Sequence, residues 1–249
     1  MVRRFTVLAL GLLLLTLVWT EVCAGQAPAR RPMAIEDLFT LDRVADPQVS
    51  PDGQHVVYVV TQVDLPGNKS SSTLWLAATD GKTPPRQLTT TAKKDRQPRW
   101  SPDGKWILFE STRSGSSQLW IMPLDGGEPR QLTTLSTEAN NPVWSPDGKT
   151  IAFVSAVWPE FSTKPFAESD ALNKKRAEEI EKSPVKAKTF TRLFYRHWDS
   201  YVEDKRQHLF VMSFTDGTAG TPRDATPGDR DAYPTSTTFS VGEDFTFSP

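Results

Sequence analysis

The strongest constraint on this chain is a seven-residue phrase that it writes three times. Pro47-Gln48-Val49-Ser50-Pro51-Asp52-Gly53 returns as Pro98-Arg99-Trp100-Ser101-Pro102-Asp103-Gly104 and as Pro142-Val143-Trp144-Ser145-Pro146-Asp147-Gly148, and Phe247-Ser248-Pro249 begins a fourth copy. Ser50 to Ser101 spans 51 residues and Ser101 to Ser145 spans 44. Ser145 to Ser248 spans 103 residues, one period plus an insertion of roughly 50 to 60. A repeat on this scale marks a chain built from copies of one supersecondary unit that bury their faces against each other.

Each copy reads as a turn with a mechanism. Proline presets φ at the second turn position, aspartate tolerates the third, and glycine takes the left-handed conformation that starts the return strand, with the serine hydroxyl capping the turn. After the turn, Val56/Tyr58, Ile107/Phe109 and Ile151/Phe153 alternate with period two, so each pair falls on one face of a strand. Leu74-Trp75-Leu76, Leu119-Trp120-Ile121-Met122 and Leu209-Phe210-Val211-Met212 form a second set of strands, each followed by an Asp-Gly hairpin turn at 80–81, 125–126 and 216–217. Arg86-Gln87-Leu88-Thr89 and Arg130-Gln131-Leu132-Thr133 close two units, and Arg223-Asp224-Ala225-Thr226 is a degenerate third.

Four short strands in a period of about 40–50 residues describe a β-propeller blade. The sequence thus predicts an all-β, incomplete β-propeller of about three four-stranded blades, with a short helical insertion in the third. Blade 1 is placed at 46–95, blade 2 at 96–140, blade 3 at 141–228 with its insertion at 158–207, and the start of a fourth at 229–249. A β-sandwich with coincidentally similar turns is the competing architecture.

Residues 1–24 read as a signal peptide: Arg3 and Arg4 precede an apolar run from Phe5 to Trp19, and Val22-Cys23-Ala24 offers small residues for cleavage. The run is shorter than the ~20 residues a spanning helix needs. Cleavage is therefore favoured over a permanent anchor, and a lipoprotein signal on Cys23 is a weaker alternative. Export to the periplasm or the extracellular space follows, with 25–45 as a lead-in segment. Cys23 is the only cysteine, so the mature chain has no disulfide, thiolate metal site or cysteine nucleophile. With 29 basic and 30 acidic residues, charge gives no case for nucleic acid or an anionic membrane as partner.

Within the insertion, Ser169 to Lys182 reads as a helix with Ser169 as its cap and Glu178/Lys182 as a favourable i,i+4 pair. Leu172 and Ile180 are its only large apolar residues, which places it on the surface. Glu178-Glu179 is a candidate anchor for the free amino terminus of a peptide, against the plainer reading of two solvated carboxylates. Arg192 to His208 concentrates aromatic and charged residues, and Arg196, His197, Trp198 and Asp199 are candidates for a binding or interdomain surface. Packing of Trp198 on the blade beside an Arg196–Asp199 ion pair is the alternative.

Catalytic chemistry is not legible. No G-x-S-x-G elbow, H-E-x-x-H, phosphate loop or calcium loop occurs, and His55, His197 and His208 form no recognisable dyad with a serine. No cofactor or metal is implied.

The Ser-Pro-Asp-Gly repeat behind a signal peptide, opened by Ile35-Glu36-Asp37-Leu38-Phe39, resembles the N-terminal propeller of the prolyl oligopeptidase family of serine peptidases, in particular the bacterial dipeptidyl-peptidase and acylaminoacyl-peptidase type. Arg192-Leu193-Phe194-Tyr195-Arg196-His197-Trp198-Asp199, followed by His208-Leu209-Phe210-Val211, is the more specific part of the resemblance. It implies that a C-terminal α/β-hydrolase domain of the same polypeptide, absent here, carries a Ser-Asp-His triad. It also implies that the propeller filters short peptide substrates by size, and that this portion is inactive alone. No triad residue has a counterpart in the chain. The alternative is a non-catalytic TolB-like periplasmic propeller that binds a protein or polymer.

Overall fold

The computed structural model describes residues 31–190, 196–197, 200–201, 204–232 and 245–248. The signal-peptide reading of residues 1–24 lies outside them. The chain divides into two units, Met1–Leu38 and Phe39–Pro249. In the first, the Arg31 guanidinium donates to the Asp37 carboxylate (2.7 Å), which also accepts the Ala34 N–H (2.8 Å). Together these bonds hold the Asp37 carboxyl below its usual range.

In the second unit, three antiparallel sheets follow one another in sequence. The first has the order β1 (Arg43–Val49), β2 (His55–Asp64), β3 (Lys69–Ala78), β4 (Arg86–Gln87). The second repeats it with β5 (Asp95–Trp100), β6 (Trp106–Ser111), β7 (Gln118–Pro123) and β8 (Arg130–Gln131). The third begins with β9 (Asn140–Trp144) and β10 (Thr150–Val157). Helix α1 (Phe166–Lys182) and a small ribbon of β11 (Arg196–His197) with β12 (Ser200–Tyr201) come next in the chain, before β13 (Arg206–Thr215). β14 (Thr218–Ala219) and β15 (Arg223–Asp224) both pair with β13, so this sheet has five strands rather than the expected four. The additional strand arises because Asp216 and Gly217 both take positive φ (45° and 79°), which makes a tight hairpin that β14 extends.

The repeated phrase makes the same turn three times. The serine hydroxyl donates to the aspartate in Ser50–Asp52, Ser101–Asp103 and Ser145–Asp147 (2.5, 2.6 and 2.6 Å). It also accepts the N–H that starts the return strand, from His55, Trp106 and Thr150 (2.9 Å each). Gly53, Gly104 and Gly148 sit at φ 70–71°, where any other residue is strained. The phrase also joins the sheets. A Cβ on Gly104 would touch Pro51, and one on Gly148 would touch Pro102, so each turn rests on the one before. Trp100 Nε1–H donates to the Gln48 carbonyl (2.9 Å) and Trp144 Nε1–H to the Arg99 carbonyl (3.3 Å), each indole reaching the first strand of the preceding sheet.

Just before each phrase, Asp46, Gln97 and Asn141 take positive φ (48°, 55° and 52°). The ladders skip a register step at the same place. Such a bulge lifts the following proline, which has no N–H to give, out of the ladder.

Side chains alternate as the period-two pattern requires. Ile107 and Phe109 join Val57, Val59, Leu74 and Leu76 between the first and second sheets. Leu108, Leu119 and Ile121 join Trp144, Phe153, Phe210 and Phe214 between the second and third. The second sheet is therefore buried on both faces. β1 is not: Val44 and Val49 are exposed where the corresponding Asp95 and Trp100 of β5 are buried.

The insertion leaves the ladder intact. β10 and β13 pair without interruption from Thr150↔Ser213 to Val157↔Arg206, so residues 158–205 depart and return at one paired position. The insertion therefore ends two residues earlier than the sequence suggested. Helix α1 also starts earlier, at Phe166 after Pro165, and Ser169 is an interior residue rather than the cap. Proline's fixed φ suits the position before the first helical turn. The Ser169 N–H already donates to the Pro165 carbonyl (2.9 Å), so the hydroxyl has no capping to do.

The helix is surface-lying, as expected, but its inward face is polar. Asp170 accepts the Ser136 N–H and hydroxyl (2.8 Å each), and Asn173 accepts the Trp158 N–H (2.9 Å). Arg176 pairs with Glu160 (2.6 Å), and the Phe166 ring meets Phe210 edge-on.

Candidate functional site

The three first strands lie side by side in the stack, and a cleft of about 560 Å³ opens along them. Val49, Pro51, Trp100 and Trp144 give it apolar walls, Arg99 a polar flank, and Phe245 lines it from the C-terminal segment. Its shape follows from the repeat, because the bulges and the indole-to-carbonyl bonds bring these positions together.

Charged side chains brace the strands behind the cleft. Arg99 Nη1 donates to both Asp46 oxygens (3.0 Å each) and to the Pro98 carbonyl (2.7 Å), while Nη2 donates to Gln97 Oε1 (2.8 Å). With its guanidinium so committed, Arg99 fixes β5 against β1. Glu110 is buried on β6, accepts the Asn141 N–H of β9 and pairs with Arg96 (2.9 Å). Burial pushes its carboxyl above the usual glutamate range, against the pull of Arg96 and the Asn141 N–H. The fully buried Asp95 accepts the Ser111 hydroxyl and Arg113 Nη2 (2.6 Å each), and the Arg113 guanidinium lies 4.8 Å from the Trp120 ring centroid. These groups position strands. The one hydroxyl they place on a carboxylate, Ser111 on Asp95, is fully buried away from the cleft.

Of the residues singled out in the sequence, Glu178 and Glu179 sit on the solvent side of α1. Glu178 pairs with Lys182 (3.2 Å), and Glu179 with Lys175 (3.9 Å). Both carboxylates are thus engaged along their own helix. Arg196 and His197 form β11, paired with Tyr201 and Ser200. Trp198 and Asp199, between the two strands of that ribbon, lie outside the described residues, and so does the proposed Arg196–Asp199 pair. Among the described residues no group of three metal-ligating side chains occurs, and no helix is long and apolar enough to cross a membrane.

One constellation was missed by sequence reasoning. His208, the third residue of β13 and fully buried, holds Asp224 Oδ2 through Nδ1 (2.6 Å). An imidazole held by a carboxylate makes two of the three members of a hydrolase triad. Here Nε2 faces the Gly228 carbonyl (2.9 Å) instead of a hydroxyl, so the arrangement cannot activate a nucleophile. The β13–β15 pairing brings the two together across 16 residues, and neither residue's local sequence announces it.

Comparison with known proteins fits this geometry. The family model described as the TolB β-propeller domain matches residues 40–181. The chain is 34% identical over 216 residues to dipeptidyl-peptidase 5 of Porphyromonas gingivalis, covering 86% of this chain and 29% of that protein. It is 38% identical over 102 residues to the uncharacterized peptidase YuxL of Bacillus subtilis, covering 40% of this chain and 15% of that one. The uncomplexed Pyrococcus horikoshii acylaminoacyl peptidase superposes with a TM-score of 0.54 at 18% identity, covering 77% of this chain and 26% of that one, a likeness of fold. The chain thus spans under a third of the length of the curated relatives it matches.

Proposed function

The chain belongs to the TolB β-propeller domain family, and we propose that it is the propeller portion of an exported serine peptidase that acts on short peptides. In this reading each sheet is one blade, with boundaries near 46–95, 96–140 and 141–228. The propeller is non-catalytic and limits access to a hydrolase domain of the same polypeptide. The observation that carries the proposal is the 34% identity to a dipeptidyl-peptidase sustained over 86% of the chain. The aligned first strands support it, because they give an apolar cleft without reactive groups, suited to admitting or excluding peptides rather than cleaving them.

The test compares residues 26–249 with the full-length polypeptide. A serine-directed fluorophosphonate should label the full-length protein, which should release dipeptides from short peptides, and it should leave residues 26–249 unlabelled and inactive. Labelling of neither points to a binding propeller of the TolB type and ends the peptidase reading. Turnover by residues 26–249 ends the non-catalytic one. Arg196 and Trp198 are assigned to the surface facing the hydrolase domain or the chamber between the two. In the full-length enzyme, Arg196→Ala or Trp198→Ala should then lower kcat/KM by up to about 10²-fold, the cost of a misplaced substrate or domain, with the melting temperature unchanged. A lower melting temperature with unchanged specific activity removes that assignment.

A further inference from the structure

The two roots of the insertion stand side by side, since Val157 and Arg206 pair directly. A strap, residues 224–232, crosses both. On the returning root, Arg206 pairs with Asp229 (2.9 Å), the Gln207 N–H donates to Asp231 Oδ1 (2.9 Å), and the Ala232 N–H donates to the Gln207 carbonyl (2.8 Å). On the outgoing root, the Gly228 N–H donates to Ser162 Oγ (3.0 Å), whose own hydroxyl donates to the Pro159 carbonyl (2.6 Å). Gly228 lies at φ 119°, a conformation closed to other residues, and this lets its N–H and C=O serve different partners.

The Gly228 carbonyl faces Nε2 of His208, whose Nδ1 faces Asp224. A carboxylate oxygen and a carbonyl oxygen are both acceptors, and a neutral imidazole carries a single N–H. With Asp224 ionised, both contacts are hydrogen bonds only when the ring holds a proton on each nitrogen, its charge then matched by Asp224. The second sheet shows what a neutral residue does at this place. There Gln118 donates to the Leu135 carbonyl and accepts from Thr133 and the Leu135 N–H, with no ion pair. The imidazole–carboxyl arrangement appears in the sheet that must also hold an insertion.

We infer that His208, doubly protonated between Asp224 and the Gly228 carbonyl, is the pin of a latch that closes the base of the insertion by tying Ser162 and Arg206–Gln207 to one strap. The inference is independent of the peptidase reading, because its readouts are protonation and local opening rather than activity.

Nitrogen-15 NMR of the folded protein should show both ring nitrogens of His208 protonated wherever the Gly228 and Ala232 amides are protected from exchange. A singly protonated ring with those amides protected overturns the latch. His208→Gln should speed exchange at Gly228, Gln207 and Ala232 by about tenfold or more, the cost of a hydrogen bond to a charged group, with Leu119 and Ile121 in β7 unchanged. Unchanged exchange on the strap overturns it. If His208→Gln fails to fold, Ser162→Ala decides, because it leaves the buried pair in place and removes only the two Ser162 hydroxyl bonds of the outgoing root, from the Gly228 N–H and to the Pro159 carbonyl. Faster exchange at Gly228 supports the latch, and protection equal to that of the unaltered protein overturns it.

Discussion

The second and third sheets lay the same backbone in the same register and fill it with opposite chemistry. Matched through their ladders, Asp95 corresponds to Ala139, Arg96 to Asn140, Glu110 to Val154 and Arg113 to Val157. The first-strand side of the second sheet is thus charged, and that of the third is neutral. At the closing strand the order reverses. Gln118 and Gln131 close the second sheet with amides, and His208 and Asp224 close the third with an imidazole held against a carboxyl group. Three features stay constant: the serine–aspartate turn, the indole that reaches the preceding sheet, and a threonine hydroxyl that takes the N–H of Leu74, Leu119 or Leu209 (3.0, 2.8 and 3.0 Å). The frame is therefore held by turns, indoles and capping threonines. The positions between them are free to answer local demands.

The frame is the place to look for the largest effect. Trp100→Ala and Trp144→Ala each empty a buried site and remove an inter-sheet bond, and each should cost about 3–5 kcal/mol in urea unfolding. If one sheet tolerated the change and the other did not, the common frame would fail as an explanation. The phenylalanine variants separate packing from bonding. Trp100→Phe should lose about 0.5–1.5 kcal/mol and Trp144→Phe less, because its bond is the longer one (2.9 against 3.3 Å).

Next comes the buried charge of the second sheet. Asp95→Ala leaves Arg113 largely buried without its carboxylate and should cost about 3 kcal/mol. The third sheet supplies the remedy in its own residues, Ala139 and Val157. Asp95→Ala combined with Arg113→Val should recover most of the loss, because removing both partners of a buried pair costs far less than removing one. A double variant as unstable as the single one would mean that Arg113 matters through its place on Trp120 rather than through Asp95.

These residues also show what could be seen from the sequence alone. The turns were legible because proline, aspartate and glycine each have a local reason to be where they are, and their spacing gave the sheets. The inward pairs Ile107/Phe109 and Ile151/Phe153 were legible from period two. Helix α1 was found, but its start was misplaced, because Ser169 looks like a cap and only the backbone shows Pro165 holding that role. His208 looked solitary because Asp224 belongs to the degenerate closing phrase and meets it only through the β13–β15 register. The polar docking face of Asp170 and Asn173 could not be read either. An apolar stripe is the usual sign of a buried helix face, and this helix is anchored by hydrogen bonds instead.

A smaller effect is expected at Glu110. Burial raises its carboxyl, so the folded chain binds this proton more tightly than the unfolded chain. Stability from this site is then greatest in acid and declines as pH rises above the usual glutamate range. Glu110→Gln keeps an acceptor for the Asn141 N–H and removes the titration. Its melting temperature should vary less with pH than that of the unaltered protein and should be equal or higher at neutral pH. A lower neutral melting temperature would show that the Arg96 bond outweighs the burial of the charge, and Glu110 would then belong with Asp95 as a net stabiliser.

The smallest effect separates the insertion from both sheets. Glu179 is exposed and Glu178 half-buried, and their lysine partners sit four residues away on the same helix, an arrangement that contributes about 0.3–0.5 kcal/mol in water. Glu178→Gln with Glu179→Gln should therefore leave the urea midpoint nearly unchanged. The same double variant bears on the amino-terminus anchor suggested by adjacent carboxylates. If the full-length polypeptide is the peptidase proposed above, an anchor must contact the ammonium of the substrate, so its loss should raise KM for peptides with a free amino terminus and spare those with a blocked one. The structure gives these carboxylates lysine partners on an open helix surface, and KM should accordingly be unchanged for both substrates. A rise confined to free-amine peptides would return Glu178 and Glu179 to the site and bring α1 against the bound peptide.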